Sequence, residues 1–265
     1  MKTTRIAPLA ALALLLSACA SQAPTYDPEQ DLGLFWVKHA AEYEAVTRQV
    51  YRTATRALPG FIADKSWSAL PWQTSAEDLP IAVILDVDET VINNVDFQIH
   101  FERPFANYKL DDWDREHTAH PVPGVVEFVA AAREAGVTTL FLTNRPCEPR
   151  DGQACPQKQT VIKALADVGI STEPEHLTLA DEQPDWKREK LVRRQLIGQD
   201  YRVIMVIGDD LGDFVPCVRK KVYAPCTEPG TRASRAAALE EYAEYWGNGW
   251  YILPNPMHGS WSSVR

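Results

Sequence analysis

Two aspartates one residue apart, Asp86 and Asp88, follow directly on the apolar run Ile81-Ala82-Val83-Ile84-Leu85 and precede Glu89-Thr90. Carboxylates this close repel each other unless a cation or a shared proton compensates them. Acidic turns often only solvate a loop or cap a helix. Here no Gly or Pro relieves the backbone between the apolar run and the acids, which argues for chemistry, and the chemistry such a pair suits is transfer of a phosphoryl group. Two further polar stretches have the same setting. Thr143-Asn144-Arg145-Pro146 follows the apolar, β-branched run from Thr138, and Gly208-Asp209-Asp210-Leu211-Gly212-Asp213 follows Tyr201 to Ile207.

The elements that must position these motifs are legible from periodicity. Apolar spacing over Leu32 to about Leu58 predicts one long amphipathic helix or two, ended by Pro59-Gly60. A buried strand covers 81–85. Residues 93–122 carry Phe97, Phe101, Phe105, Tyr108 and Trp113 among polar residues without a sustained helix or strand period, and read as a small cap inserted over the site. Helices are expected over 125–135, 160–168, 186–196 and 231–245, and strands over 138–143, 176–179, 201–207 and 250–253. Strands alternating with helices make an α/β fold, a doubly wound parallel sheet whose crevice lies at the carboxyl ends of its strands. All three polar motifs fall at such ends.

The chain of 265 residues is long enough for one sizeable domain with an accessory lobe, and its formal net charge of -9 argues against nucleic acid as a partner. Lys2 and Arg5 precede a short apolar run, Leu9 to Leu16, as in an export signal over 1–18. Its end, Leu16-Ser17-Ala18-Cys19, resembles the lipobox of bacterial lipoproteins. That resemblance implies a lipidated Cys19, a tether over 19–31 and a place in the bacterial cell envelope, in the outer membrane facing the periplasm or the surface. Four cysteines remain, Cys147, Cys155, Cys217 and Cys226. Two disulfides are expected in an exported chain, and three connectivities are open.

Taken together, Asp86-Val87-Asp88-Glu89-Thr90, Thr143, a downstream lysine and the Gly208 to Asp213 stretch resemble the four motifs of the haloacid dehalogenase (HAD) superfamily. More narrowly the chain resembles the class C bacterial acid phosphatases, the lipoprotein 5'-nucleotidase group of subfamily IIIB, through to its terminal Leu253-Pro254-Asn255-Pro256-Met257-His258-Gly259-Ser260-Trp261. The resemblance implies a Rossmann-like core over 32–265 with a helical accessory segment, 32–75, and the cap insert, 93–122. It implies that Asp86 is the nucleophile, that Asp88 moves the proton, and that Mg²⁺ is held by Asp86, the backbone carbonyl of Asp88 and Asp209, with Asp213 in support and Asp210 a weaker candidate. Thr143 and the Asn144 amide would contact the phosphoryl group.

The resemblance also implies a phosphate-binding lysine, read as Lys190 because the family's lysine precedes a basic pair, here Arg193-Arg194, with Lys187 the alternative one turn away. Trp113 of the cap and His258, standing where the family carries a tyrosine, are the candidates for holding the leaving group of a small phosphate monoester. A phosphotransferase of the same superfamily and a non-enzymatic surface lipoprotein binding a ligand or host component are the competing readings. The oligomeric state is left open.

Overall fold

The computed structural model describes residues 31–101 and 103–264. The expected export signal, Cys19 and all but the last residue of the tether lie outside them. Two helices open the described chain, α1 (Leu32–His39) and α2 (Ala41–Ala63). Strand β1 (Ile81–Leu85) follows, then β2 (Ile92–Asn93), α3 (Val95–His100), α4 (Asn107–Glu116), β3 (His120–Pro121) and α5 (Val125–Glu134). Next come β4 (Thr138–Pro146), α6 (Pro156–Asp167), β5 (Leu177–Ala180), α7 (Leu191–Asp200), β6 (Arg202–Gly208), α8 (Arg232–Glu241) and β7 (Trp250–Ile252).

The principal sheet has five parallel strands in the order β5-β4-β1-β6-β7. Strand β1 is its centre. Ala82, Val83 and Leu85 are fully buried, since neighbours on both faces leave a central parallel strand no polar side. Each such Val or Leu contributes about 2 kcal/mol relative to exposure. One apolar layer packs β1 and β4 against α2, α5 and α6 through Tyr51, Phe128, Phe141 and Val161. The other packs Ile84, Leu140 and Val206 against Phe214 and Trp250. The sheet therefore holds the carboxyl ends of β1, β4 and β6 side by side, as the α/β reading expects.

Several boundaries move, each for a local reason. Pro59 and Gly60 do not end α2, which continues to Ala63. The buried Arg202 donates to the carbonyls of Phe61 (3.1 Å), Ile62 (3.1 Å) and Asp64 (2.8 Å), satisfying acceptors a helix end leaves unpaired. Helix α6 starts at Pro156, four residues earlier than expected, with the proline at the first helical position where its missing N–H costs nothing. Helix α7 starts at Leu191, so Lys187 and Lys190 precede it instead of sharing one helix face.

The cap insert is helical where no period was legible. In α4 the buried inward positions are Leu110, Asp111 and Asp114, so its inner face is carried partly by carboxylates. Strands β2 and β3 pair antiparallel at its base. The cysteines pair as Cys147–Cys155 and Cys217–Cys226.

Candidate active site

Asp86 begins the turn after β1 and is 8 % exposed, its amide donating to the Ile207 carbonyl (2.9 Å) as if the strand continued. The turn then doubles back: Val91 and Ile92 both donate to the Val87 carbonyl, at 2.8 and 2.9 Å, and Glu89 takes a left-handed φ of 57°. A non-glycine residue in that region is strained and needs outside support. Helix α2 supplies some, because Tyr51 donates from its hydroxyl to the Thr90 carbonyl at 2.7 Å. The accessory helices are thus a brace under the catalytic turn.

Lys190, 2 % exposed, forms an ion pair with Asp86 and another with Asp213 at 2.7 Å. Lys187 sits outside the site, bound to Asp181 at 2.5 Å. Asp213 in turn accepts from the amides of Asp209 (3.1 Å) and Asp210 (2.9 Å). Gly208 allows this closeness, since a Cβ there would lie 2.6 Å from the Asp213 Cβ. Asp209 accepts from Thr90 Oγ1 (3.3 Å) and from Asn255 Nδ2 (2.7 Å), which ties the terminal motif to the site. Asp210 faces another way and anchors the Ser260 turn, accepting from the Ser260 amide (2.5 Å) and hydroxyl (2.8 Å).

Carboxylate oxygens of Asp86, Asp209 and Asp213 lie within 4.8 Å of one another. Burial pushes the Asp86 carboxyl up to about 7; Lys190 opposes this rise, while Asp213 and Asp88 add to it. Burial, then Asp213, Asp86 and Glu89, hold Asp209 well above the usual carboxylate range. A buried, oxygen-only cluster short of positive charge fits a hard divalent cation, which would relieve that repulsion. The cluster differs from the expected ligand set in bringing in Asp213, which the resemblance placed in a supporting role.

Asp88 is turned away from this cluster. Its carboxylate takes Arg145 Nη2 and Nε at 2.7 and 3.0 Å, Asn94 Nδ2 at 2.8 Å and Thr143 Oγ1 at 3.3 Å. Burial by itself would raise its proton affinity, but Arg145 and Asn94 hold it below the ordinary value. Thr143 is wholly buried and its hydroxyl also accepts from the Arg145 amide (3.0 Å), so it is occupied in orienting Asp88 while Asn144 lines the cavity. Arg193 supports both, donating to the Thr143 carbonyl (2.6 Å) and the Asn144 Oδ1 (2.7 Å).

Arg145 was missed in the sequence reading, although its signal was present. It lies two residues after Thr143 on β4 and so projects to the same side. Its guanidinium joins Asp88 to Asp114 of α4, which makes it the hinge pin between core and cap. Breaking a buried pair of this kind costs about 3–5 kcal/mol. A second clamp comes from the disulfide-closed loop 147–155, where Arg150 reaches Asp111 (3.0 Å) and Asp112 (2.7 Å).

Above the motifs lies a cavity of about 900 Å³ lined by Asp86, Asp88, Asp209, Asn144 and Lys190, with Phe101, Phe105 and Tyr108 of the cap on its wall. His258 lines it too, its Nε2 3.0 Å from the buried Glu89 carboxylate. Burial lowers the proton affinity of this imidazole, but Glu89 outweighs that and raises it to about 9. Trp113 is not brought to the cavity. It stacks on His117 at 3.7 Å and lines a separate groove of about 330 Å³ with His100 and His120, so the cap aromatics facing the site are the two phenylalanines and the tyrosine.

This arrangement has counterparts. The class C acid phosphatase from Bacillus anthracis is 26 % identical, with 89 % of this chain and 87 % of that one aligned at a TM-score of 0.70. The same enzyme with tungstate bound aligns at 0.71 with the same identity and coverage. The family model for the HAD superfamily, subfamily IIIB (acid phosphatase), matches residues 18–261. The chain therefore belongs to the subfamily IIIB acid phosphatases of the HAD superfamily and is a hydrolase of phosphate monoesters.

Proposed function

We propose that the protein hydrolyses phosphate monoesters through a phosphorylated Asp86, with Mg²⁺ as its metal. The observation that carries this reading is the placement of Asp86 at the carboxyl end of the central strand, paired with Lys190 and grouped with Asp209 and Asp213. Asp86 and Asp209, with the Asp88 carbonyl, would hold the cation, which when bound neutralises charge on the phosphoryl oxygens. Asp213 steadies Lys190 beside the nucleophile.

In the first step an Asp86 carboxylate oxygen forms a bond to phosphorus as the bond from phosphorus to the leaving oxygen breaks. Asp88 gives its proton to that oxygen, so the alcohol departs neutral. The second step reverses the roles: Asp88 takes a proton from water, the water oxygen bonds to phosphorus, and Asp86 is released with inorganic phosphate. In the resting protein Arg145 favours the ionised form of Asp88. An arriving phosphate dianion raises the proton affinity of a neighbouring carboxylate, which suits the acid to work below neutrality.

The cavity wall of Phe101, Phe105 and Tyr108 offers an aromatic leaving group, such as the base of a nucleoside monophosphate, a place to stack. The envelope location and the lipid at Cys19 complete the reading: a scavenger of phosphate outside the cytoplasm needs no acceptor but water. Among the described residues no helix is long and apolar enough to cross a membrane. Turnover of p-nitrophenyl phosphate by the parent and by Asp86→Asn, each with and without EDTA, is the direct test. Metal-dependent activity abolished in the variant is expected; activity surviving both treatments would sink the proposal.

A further inference from the structure

Arg219 is a largely buried cation with no part in either chemical step. It stands in the loop that the Cys217–Cys226 disulfide closes, and its guanidinium lies between two buried carboxylates, Asp210 (Nη2 to Oδ1, 3.4 Å) and Glu189 (Nε to Oε1, 3.9 Å). Glu189 also accepts from the Cys217 amide at 3.2 Å, so it grips the loop at its first cysteine. Gly212 leaves room for the guanidinium, since a Cβ there would lie 2.6 Å from Arg219 Nη2. Both carboxylate contacts exceed the length of about 2.7–2.9 Å typical of a charge-assisted hydrogen bond. Arg219 therefore acts on the two acids as a charge and not through a fitted fork.

One of those acids reaches the terminal motif. Asp210 accepts from both the amide and the hydroxyl of Ser260. Arg235 ties the same turn to the disulfide loop by donating to Ser260 Oγ (2.6 Å) and to the Val218 carbonyl (2.9 Å). At the other end of the turn Asn255 Oδ1 accepts from the amides of Met257 (3.0 Å) and His258 (3.3 Å). His258, on the cavity wall, thus rides on a turn fixed at both ends, and Asp210 fixes the end at Ser260. Without Arg219 two buried carboxylates lose their shared counter-ion, and a buried charge left unpaired is costly enough to turn Asp210 toward water and away from Ser260.

We infer that Arg219 is a positioning residue: presented by the disulfide-closed loop, it fixes Asp210, and through Asp210 and Ser260 it sets His258 against the leaving group of the substrate. This rests on the reading of His258 as a contact to that group. Its consequence is that affinity for substrate depends on the Cys217–Cys226 bond, while Asp86 and Lys190, held by each other and by Asp213, keep their places.

Steady-state kinetics of the full chain on p-nitrophenyl phosphate test it. Arg219→Gln should raise KM about tenfold, the worth of roughly one or two hydrogen bonds. Its kcat should stay within about twofold, the sign of binding lost equally from ground and transition states. Arg219→Lys, which keeps the charge, should stay within about threefold of the parent in KM. Cys217→Ser combined with Cys226→Ser, which frees the loop, should reproduce the rise. Added to His258→Ala, Arg219→Gln should raise KM no further, because effects carried through one chain of contacts do not add. Full additivity in that double variant, or an unchanged KM in Arg219→Gln, overturns the positioning role. If Arg219→Gln does not fold, the cysteine pair is combined with His258→Ala and read in the same way. An unchanged KM in His258→Ala removes the leaving-group contact and this inference with it. A rise in His258→Ala alone removes the inference and leaves the proposed function standing, whereas a parent chain without turnover removes both.

Discussion

Asp86 and Asp88 are two positions apart and have opposite surroundings. Asp86 faces two other carboxylates and one lysine in a buried cluster, and Asp88 faces Arg145, Asn94 and Thr143. The strand-turn geometry separates them, because side chains two apart leave a turning backbone in different directions. A division of labour follows. Asp88→Asn should keep its metal, since its carboxylate points away from the cluster, and still lose about 10²–10⁴ in kcat for want of the proton carrier. Asp209→Asn should lose the metal itself. Isothermal titration with Mg²⁺ alongside steady-state kinetics separates the two, and comparable loss of metal affinity in both variants would refute the assignment.

At the scale of elements, the site depends on approaches too close for ordinary side chains. The carboxyl end of β6 runs into a turn whose Asp213 folds back over Gly208, and this lets one carboxylate accept two amides and also hold Lys190. Gly208→Ala should push Asp213 aside. The expected cost is about 1–3 kcal/mol of stability from overpacking and a fall on the order of 10² in kcat/KM, because Lys190 loses its second partner. Thermal melts and kinetics on this variant check both, and unchanged kinetics would show that Asp213 does not position the lysine. The cap is held by different means. Arg145 and Arg150 reach buried and half-buried acids of α4, so core and cap are joined by charge where most of the molecule is joined by apolar packing.

For the whole molecule, the acidic cluster sets a dependence of stability on pH. Burial raises Asp86 to about 7 from an unfolded value near 4. Between those values the folded, metal-free protein binds the proton more tightly than the unfolded chain, so stability falls as pH rises through that interval. His258 acts in the same direction higher up: its imidazolium is favoured by Glu89, and that stabilisation is complete below about 6.5 and lost as pH rises through about 9. In EDTA the melting temperature should therefore drop between pH 5 and pH 9 by an amount equivalent to a few kcal/mol, on the order of 5–10 °C for a chain of this length. Saturating Mg²⁺ should remove most of the part of the drop due to Asp86 and leave the part due to His258, because it binds the ionised carboxylates of the folded state alone. Calorimetry across that range, with and without metal, is the measurement; a melting temperature that rises with pH in EDTA would contradict it.

How much of this was legible in the chain depends on the kind of signal. A five-residue apolar run ending in two acids identified the central strand and its catalytic turn, because burial on both faces dictates composition locally. The motifs that carry Asp86, Asp88 and Asp209 were legible because each lies within a few residues of its own strand end, whereas Lys190 was chosen over Lys187 only for the Arg193-Arg194 pair that follows it, and it is the fold that brings its ammonium to Asp86. A small helical cap was expected, but the limits of its helices escaped because their inward positions include aspartates, acceptable there only beside Arg145 and Arg150, which lie more than 30 residues away. Trp113 showed the reverse error, an aromatic beside an acid that packs on histidines outside the cavity. Asp86 and Asp88, two positions apart and alike in the sequence, became unlike only in three dimensions. Which charges meet across the sheet ends is decided by long-range packing, and those neighbours set the proton affinity of each carboxylate.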